Sequence, residues 1–255
     1  MSSRNLLATV LVVAALGVAC GGSSSTSSPT TQTLEVRTFL STRVDGPALV
    51  AGTVIRITFQ NGRVSVNAGC NTFGGPYRID GDRLVVGQII TTEIGCQPNL
   101  AAQDQWVSGL IGGATIALDG NNLTLALSGI RVAFLDRVVA DPDRPLLGTP
   151  WVVDGLITGG ATSSVPAGLT ASVTLTETSV DVETGCNSGG GPVTNADGTL
   201  TFGDLILSKK ACTGPGAALE GAVTAVLHGT VAYQIVADQL TLKSDALGLT
   251  LRAAP

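Results

Sequence analysis

The sequence predicts a mainly β protein, built as two tandem small β-barrel-like domains of about seven to eight short strands and one helix each. Three observations predict it. First, Gly69-Cys70-Asn71-Thr72-Phe73-Gly74-Gly75-Pro76-Tyr77 recurs as Gly185-Cys186-Asn187-Ser188-Gly189-Gly190-Gly191-Pro192-Val193, and in each copy another cysteine, Cys96 or Cys212, follows 26 residues after the first. A fixed internal period is the mark of a duplicated structural unit. Second, the 44% of apolar residues fall mostly in short Val, Leu and Ile runs. Third, 33 glycines punctuate those runs. Short β-branched runs between turn residues read as strands, and strands joined as a meander remove their open edges by closing into a barrel.

The chain opens with an export signal. Residues 1–19 carry one charge, Arg4, before the apolar run Leu6–Ala19. A run of that length is short for a membrane span and suits a signal-peptide core. It ends Leu16-Gly17-Val18-Ala19-Cys20, so small residues precede a cysteine. That pattern resembles a bacterial lipobox, in which Cys20 becomes the lipidated first residue and the membrane becomes a partner through that lipid. Gly17-Val18-Ala19 also fits an ordinary signal-peptidase site, which would leave a secreted chain. Residues 20–33 are rich in Ser, Thr and Gly and form a flexible tether.

Cys70 and Cys186 stand 116 residues apart, and that shift aligns more than the cysteines. Leu84 falls on Leu200, Thr92-Glu93-Ile94-Gly95-Cys96 on Ser208-Lys209-Lys210-Ala211-Cys212, and Asp104 on Glu220. Phe39 matches Trp151 across a small loop difference, and Leu123-Thr124-Leu125 matches Leu240-Thr241-Leu242. Domain 1 is placed at 34–138, a linker at 139–147 and domain 2 at 148–255. The prolines of Asp141-Pro142-Asp143-Arg144-Pro145 make the linker stiff.

In domain 1 the strands are expected at 33–44, 54–59, 63–67, 77–79, 83–89, 114–118, 123–127 and 130–134. Asn61-Gly62 is a two-residue hairpin signal, because both residues tolerate positive φ. Pro98-Asn99 starts a helix whose Leu100, Trp106, Val107, Leu110 and Ile111 recur at helical spacing, with Gly112-Gly113 as its stop. In domain 2 strands are expected at 171–175, 179–183, 199–202, 205–207, 231–236, 240–243 and 249–252. Pro215–His228 is its helix, with Pro215 suited to the first turn.

Five cysteines is an odd count. If Cys20 carries lipid, four remain, two per copy, and export makes two disulfides the natural outcome. Of the three connectivities, Cys70–Cys96 with Cys186–Cys212 keeps each unit self-contained. Four free buried thiols is the alternative. Two cysteines per unit with no nearby histidine do not complete a zinc shell, so no metal and no cofactor are expected.

Gly-Cys-Asn-x-Phe-x-Gly-x-Tyr, then Thr-x-x-x-Cys, then a short helix with an acidic residue resembles the META domain of HslJ-type bacterial heat-shock lipoproteins. Domain 1 carries Gly69, Cys70, Asn71, Phe73, Gly75, Tyr77, Thr92 and Cys96, with Asp104 where the family usually has Glu. Domain 2 keeps Gly185, Cys186, Asn187, Gly191, Cys212 and Glu220 but has Gly189 and Val193 in place of the Phe and Tyr. The resemblance implies a small β-barrel-like fold, residence in the cell envelope and no catalytic residues. Asn71, Phe73 and Tyr77 mark the surface where a small ligand or an envelope protein would bind. Asn71 and Asn187 have a structural alternative as well, bonding to their own loop backbone.

Other chemistries find little support. The net charge is −5, so a basic footprint for nucleic acid is absent. The glycines at 74–75 and 189–191 lack a following Lys-Ser/Thr for phosphate and are expected to supply turn geometry. His228, the sole histidine, sits at a helix end rather than in a triad. Asp80 with Asp82, and Asp141 with Asp143, are explained by turn and linker roles. Trp106 and Trp151 are read as core anchors. The sequence thus points to a lipid-anchored envelope protein with a non-catalytic binding, structural or stress-related role. An inhibitor or binder of an extracytoplasmic enzyme such as a protease is the alternative.

Overall fold

The computed structural model describes residues 29–254; the signal segment and Cys20 lie outside them. Domain 1 begins with α1 (Thr31–Leu34) and continues through β1 (Arg37–Asp45), β2 (Arg56–Gln60), β3 (Arg63–Asn67), β4 (Thr72–Asp80), β5 (Arg83–Val86), β6 (Ile90–Thr91), α2 (Pro98–Ile111), β7 (Thr115–Asp119), β8 (Asn122–Leu127), β9 (Ile130–Asp136) and α3 (Arg137–Ala140). Domain 2 comprises β10 (Pro150–Thr158), β11 (Ala161–Ser164), β12 (Ser172–Leu175), β13 (Ser179–Glu183), β14 (Ser188–Ala196), β15 (Thr199–Phe202), β16 (Ile206–Leu207), α4 (Gly214–Val226), β17 (Gly229–Val236), β18 (Gln239–Ser244) and β19 (Leu247–Ala253).

Each domain is a closed eight-stranded antiparallel barrel. In domain 1 the ring runs β3-β2-β1-β9-β8-β7-β5-β4 and closes where β4 pairs with β3. In domain 2 it runs β10-β12-β13-β14-β15-β17-β18-β19 and closes where β19 pairs with β10. Short β6 and β16 lie outside the rings, against β4 and β14. The period-2 pattern fills both interiors: Ile57, Phe59, Val64 and Val66 point into the first, and Val173, Leu175, Val180 and Val182 into the second. Phe39 and Trp151, aligned in sequence, are both fully buried. Each such side chain excludes enough apolar area to contribute about 2–3 kcal/mol. Trp106 is half-buried against the first core.

Local chemistry explains the turns and helix ends. Asn61 and Gly62 have φ of 53° and 68°, as the hairpin between β2 and β3 requires. Pro98 lies in the first turn of α2, and Gly112 caps its C-terminus. α2 buries Val107, Leu110 and Ile111 against the barrel, and α4 buries Leu219, Val223 and Val226. His228 is exposed, just beyond Leu227, the C-cap of α4.

Three expectations need correction. The start of the predicted strand at 33–44 belongs to α1, closed by a Thr30–Thr33 capping box, and the strand begins at Arg37. The glycine-rich stretches are not turns but lie within β4 and β14, which the sequence reading missed or shortened. A Cβ on Gly74 would sit 2.0 Å from the Val64 carbonyl oxygen, and one on Gly75 would sit 2.5 Å from that of Gln88. In domain 2, Gly190 and Gly191 meet Val180 and Asp204 in the same way, at 2.3 Å and 2.6 Å. Glycine here admits backbone from both sides. Strands β10 and β11, a further hairpin, also went unread.

The linker is strapped at both ends. The Asp143 carboxylate pairs with Arg137 of α3 and accepts the Ala237 N–H at 2.7 Å. Burial pushes the Asp143 carboxyl up, but these bonds outweigh it and hold the group below the usual carboxylate range. Arg144 N–H donates to the Ala237 carbonyl at 2.8 Å, and Trp151 Nε1–H donates to Leu146 at 3.1 Å.

Candidate functional site

The repeated motif builds the same cluster twice. In domain 1, Gly75 admits the Gln88 carbonyl and β6 pairs with Phe73 and Gly74, so the 88–92 segment lies along β4 and the loop before Cys96 folds over Asn71. Cys70 and Cys96 are joined, with Cα atoms 6.1 Å apart. Asn71 Oδ1 accepts Thr92 Oγ1–H and Ile94 N–H, both at 2.9 Å, and its Nδ2 lies 3.0 Å from Cys96 Sγ. From α2, the Asp104 carboxylate accepts Asn71 N–H through Oδ2 at 2.7 Å. Asp104 is buried, and its Oδ1 has no hydrogen-bond partner.

Domain 2 repeats the arrangement with more bonds. Cys186 and Cys212 are joined, with Cα atoms 6.2 Å apart. Asn187 Oδ1 accepts Ser208 Oγ–H at 2.7 Å and Lys210 N–H at 2.8 Å. From α4, Glu220 Oε2 accepts the Thr184 hydroxyl at 2.6 Å and Asn187 N–H at 3.0 Å, while Oε1 accepts Asn187 Nδ2–H at 3.2 Å. The Thr184 bond, with help from Asn187, outweighs desolvation and holds the Glu220 carboxyl below its ordinary value.

The residues expected to form a binding surface divide. Phe73 and Tyr77 do not face solvent: they are 3% and 8% exposed, and both belong to the first core. They share the inward parity of β4. The Tyr77 ring meets Phe59 edge-on with centroids 5.0 Å apart, and its hydroxyl bonds Glu35 Oε1 at 3.1 Å. Burial first, then Glu35, pushes the phenol well above its ordinary range. Asn71 is half-buried and its amide is committed to the loop backbone and Thr92, the structural alternative weighed above. In domain 2, a Cβ on Gly189, the residue aligned with Phe73, would lie 1.9 Å from the Ile206 carbonyl oxygen, so that position has no room for a side chain.

Two participants were not singled out from sequence. Gln103, 2% exposed, donates to Thr53 Oγ1 at 2.9 Å and to the Ala68 carbonyl oxygen, and accepts Val50 N–H at 2.6 Å. It ties α2 to the β1–β2 connection, and Leu219 replaces it in domain 2. The other is the pair Ala68 and Thr184. The 116-residue shift places both pairs side by side, which is the signal that finds them.

Fold and site together define a tandem pair of β-barrels, each stapled by a disulfide to an asparagine–carboxylate cluster beneath one helix. The META domain family model matches residues 32–139 and 144–254, and the chain belongs to that family. Two solved structures to which the chain is similar each align with less than half of it. A protein from Burkholderia xenovorans, determined by NMR, is 29% identical with a TM-score of 0.38, covering 43% of this chain and 83% of its own. A second NMR structure is 25% identical with a TM-score of 0.36, covering 42% of this chain and 94% of its own. No curated protein matches the chain.

Proposed function

We propose that this is an exported, lipid-anchored cell-envelope protein whose two META domains act as a non-catalytic binding or structural module. The observation that carries this reading is the pair of disulfides, one closed inside each domain. Bridges of this kind persist where the medium is oxidising. The apolar run before Cys20 and the Ser/Thr tether after it supply the route and the anchor. With four cysteines bridged and the single histidine exposed beyond a helix end, the side chains favour recognition over covalent chemistry.

Mass spectrometry of the membrane fraction tests the proposal. A diacylated or triacylated Cys20 and no alkylatable thiols are the expected results, and Cys20→Ala should move the protein out of the membrane. A cytosolic chain with an unmodified N-terminus and four alkylatable thiols would sink it. The binding role is tested separately by affinity capture on residues 30–255. One stoichiometric envelope partner supports it, whereas substrate turnover abolished by a point change would replace it with catalysis.

A further inference from the structure

The two clusters differ around the acid, where domain 2 has Glu220 and Thr184 and domain 1 has Asp104 and Ala68. Thr184 donates to Glu220 in domain 2, while the aligned residue of domain 1 is Ala68, which has nothing to donate. The other Glu220 oxygen, Oε1, accepts Asn187 Nδ2–H, whereas Asp104 Oδ1 is buried and unpartnered in a residue that is 7% exposed. A carboxylate oxygen in that position calls for a donor or a cation. The carboxylate lies beside sulfurs: Cys70 Sγ, Cys96 Sγ and one carboxylate oxygen of Asp104 all lie within 4.8 Å of one another.

While bridged, the sulfurs are not thiolates and hold no cation. Opened, they present two thiolates and one carboxylate around a single point, with room on the set for a water. That donor combination suits a thiophilic divalent ion, and tetrahedral bonds of about 2.0–2.3 Å would draw the three atoms modestly closer. Cys186, Cys212 and Glu220 are grouped as tightly, but both Glu220 oxygens already accept hydrogen bonds.

We infer that domain 1 contains a redox-gated site for a thiophilic divalent cation, formed by Cys70, Cys96 and Asp104, whose counterpart in domain 2 is closed by the hydrogen bonds to both Glu220 oxygens. A dithiol supplies two electrons and two protons, the Cys70–Cys96 bond becomes two thiols, and the dithiol leaves as its cyclic disulfide. Binding of the cation then releases the two thiol protons to water. The site is independent of lipidation, so it stands or falls apart from the proposed envelope role.

Cadmium is the probe, read by its thiolate-to-metal absorption, with zinc as competitor. The full chain carries Cys20→Ser, and Cys186→Ser/Cys212→Ser silences domain 2. After dithiothreitol treatment and anaerobic removal of the reductant, this protein should bind one cadmium ion, and the oxidised protein none. Asp104→Asn should weaken binding at least tenfold. Ala68→Thr, which removes no ligand, should do the same by donating a hydrogen bond to the Asp104 carboxylate as Thr184 does to Glu220. The reciprocal Cys70→Ser/Cys96→Ser protein should bind at least tenfold more weakly. Equal binding by the two domains, indifference to Asp104→Asn and Ala68→Thr, or no absorption band would overturn the inference. A reduced chain that unfolds would capture metal without regard to Asp104, and so counts with those failures.

Discussion

Domain 2 satisfies both oxygens of its half-buried acid, and domain 1 leaves one oxygen of its buried acid unsatisfied. Glu220 reaches three donors, because its extra methylene extends from α4 to Thr184 as well as to Asn187. Asp104 is shorter, faces Ala68, and uses one oxygen only. Domain 1 instead ties its helix down from the neighbouring position, where Gln103 bonds the 50–53 connection and the Ala68 carbonyl. The duplicated motif therefore preserves the staple and the asparagine while the hydrogen bonds around them have moved. The lesson is that the Gly-Cys-Asn loop is a folding device first. Any functional divergence lies in what surrounds the acid.

The largest effect should come from the staples themselves. Both bridges span 26 residues, so the chain-entropy model assigns each the same stabilisation, roughly 3.5 kcal/mol. Replacing Cys70 and Cys96 by Ala, or Cys186 and Cys212 by Ala, should lower the denaturant midpoint of the affected domain by a matching free energy. A difference between domains beyond about 1 kcal/mol would show that the clusters, rather than loop closure, set the cost.

Next comes Thr184→Ala. It removes a hydrogen bond to a charged group and leaves Glu220 under-partnered, at a cost of about 2 kcal/mol to domain 2. Urea unfolding checks it, and an unchanged midpoint would mean that water replaces the hydroxyl.

The domains should also fail at opposite ends of the pH scale. The Glu220 carboxyl is depressed by Thr184 and Asn187. Its stabilisation is therefore present above the unfolded value of about 4.3 and is lost as pH falls through the lower folded value. The Tyr77 phenol is raised by burial and Glu35. Its stabilisation is complete below about 10 and disappears as pH rises toward the folded value. Thermal melts of each isolated domain against pH should show domain 2 weakening in acid and domain 1 in alkali. Tyr77→Phe should flatten the alkaline limb alone.

The parts that were legible in the sequence are those written locally. Asn61-Gly62 specifies its own turn, and the apolar spacing after Pro98 specifies α2. Equal cysteine spacing pointed to pairing within each repeat, one of three connectivities, and the two bridges close that way. Closure into a barrel was legible from the meander of short strands, but which strands close each ring was not, because β10 and β19 stand far apart in the chain and their pairing depends on backbone geometry that residue patterns do not carry. Ser188–Ala196 reads as a turn by composition, and only the backbone pressing on Gly190 and Gly191 explains a strand there. For Phe73 and Tyr77 the information was present. Both have one parity along β4, and an aromatic pair at that spacing belongs inside. Asp104 and Glu220 were visible as an aligned pair, but the donors around them required coordinates.

Ala68→Thr tests the contrast directly by giving domain 1 the hydroxyl that domain 2 has. If the introduced side chain takes the Thr184 rotamer, it gives the Asp104 carboxylate a second donor, as Thr184 does for Glu220 Oε2, and should stabilise domain 1 by about 1 kcal/mol. The added atoms must fit beside Gln103, whose side-chain amide already bonds the Ala68 carbonyl. Loss of stability would show that packing there, and not the missing donor, governs the site.

The smallest effect concerns how each barrel begins. Gly148 precedes β10 with φ of 76°, and Val36 precedes β1 with φ of 58°. A β-branched residue is strained in the left-handed region that glycine enters freely. Val36 is also 82% exposed, so burial returns nothing to offset that strain. Val36→Gly should therefore stabilise domain 1, but by less than the roughly 1–3 kcal/mol such strain costs, because glycine gains entropy in the unfolded chain. A net gain of about 0.5 kcal/mol is expected in urea unfolding. The aligned Gly148→Val in domain 2 should lose at least as much as the first substitution gains. A destabilising Val36→Gly would mean that the valine side chain supports α1 through contacts that its exposure does not suggest.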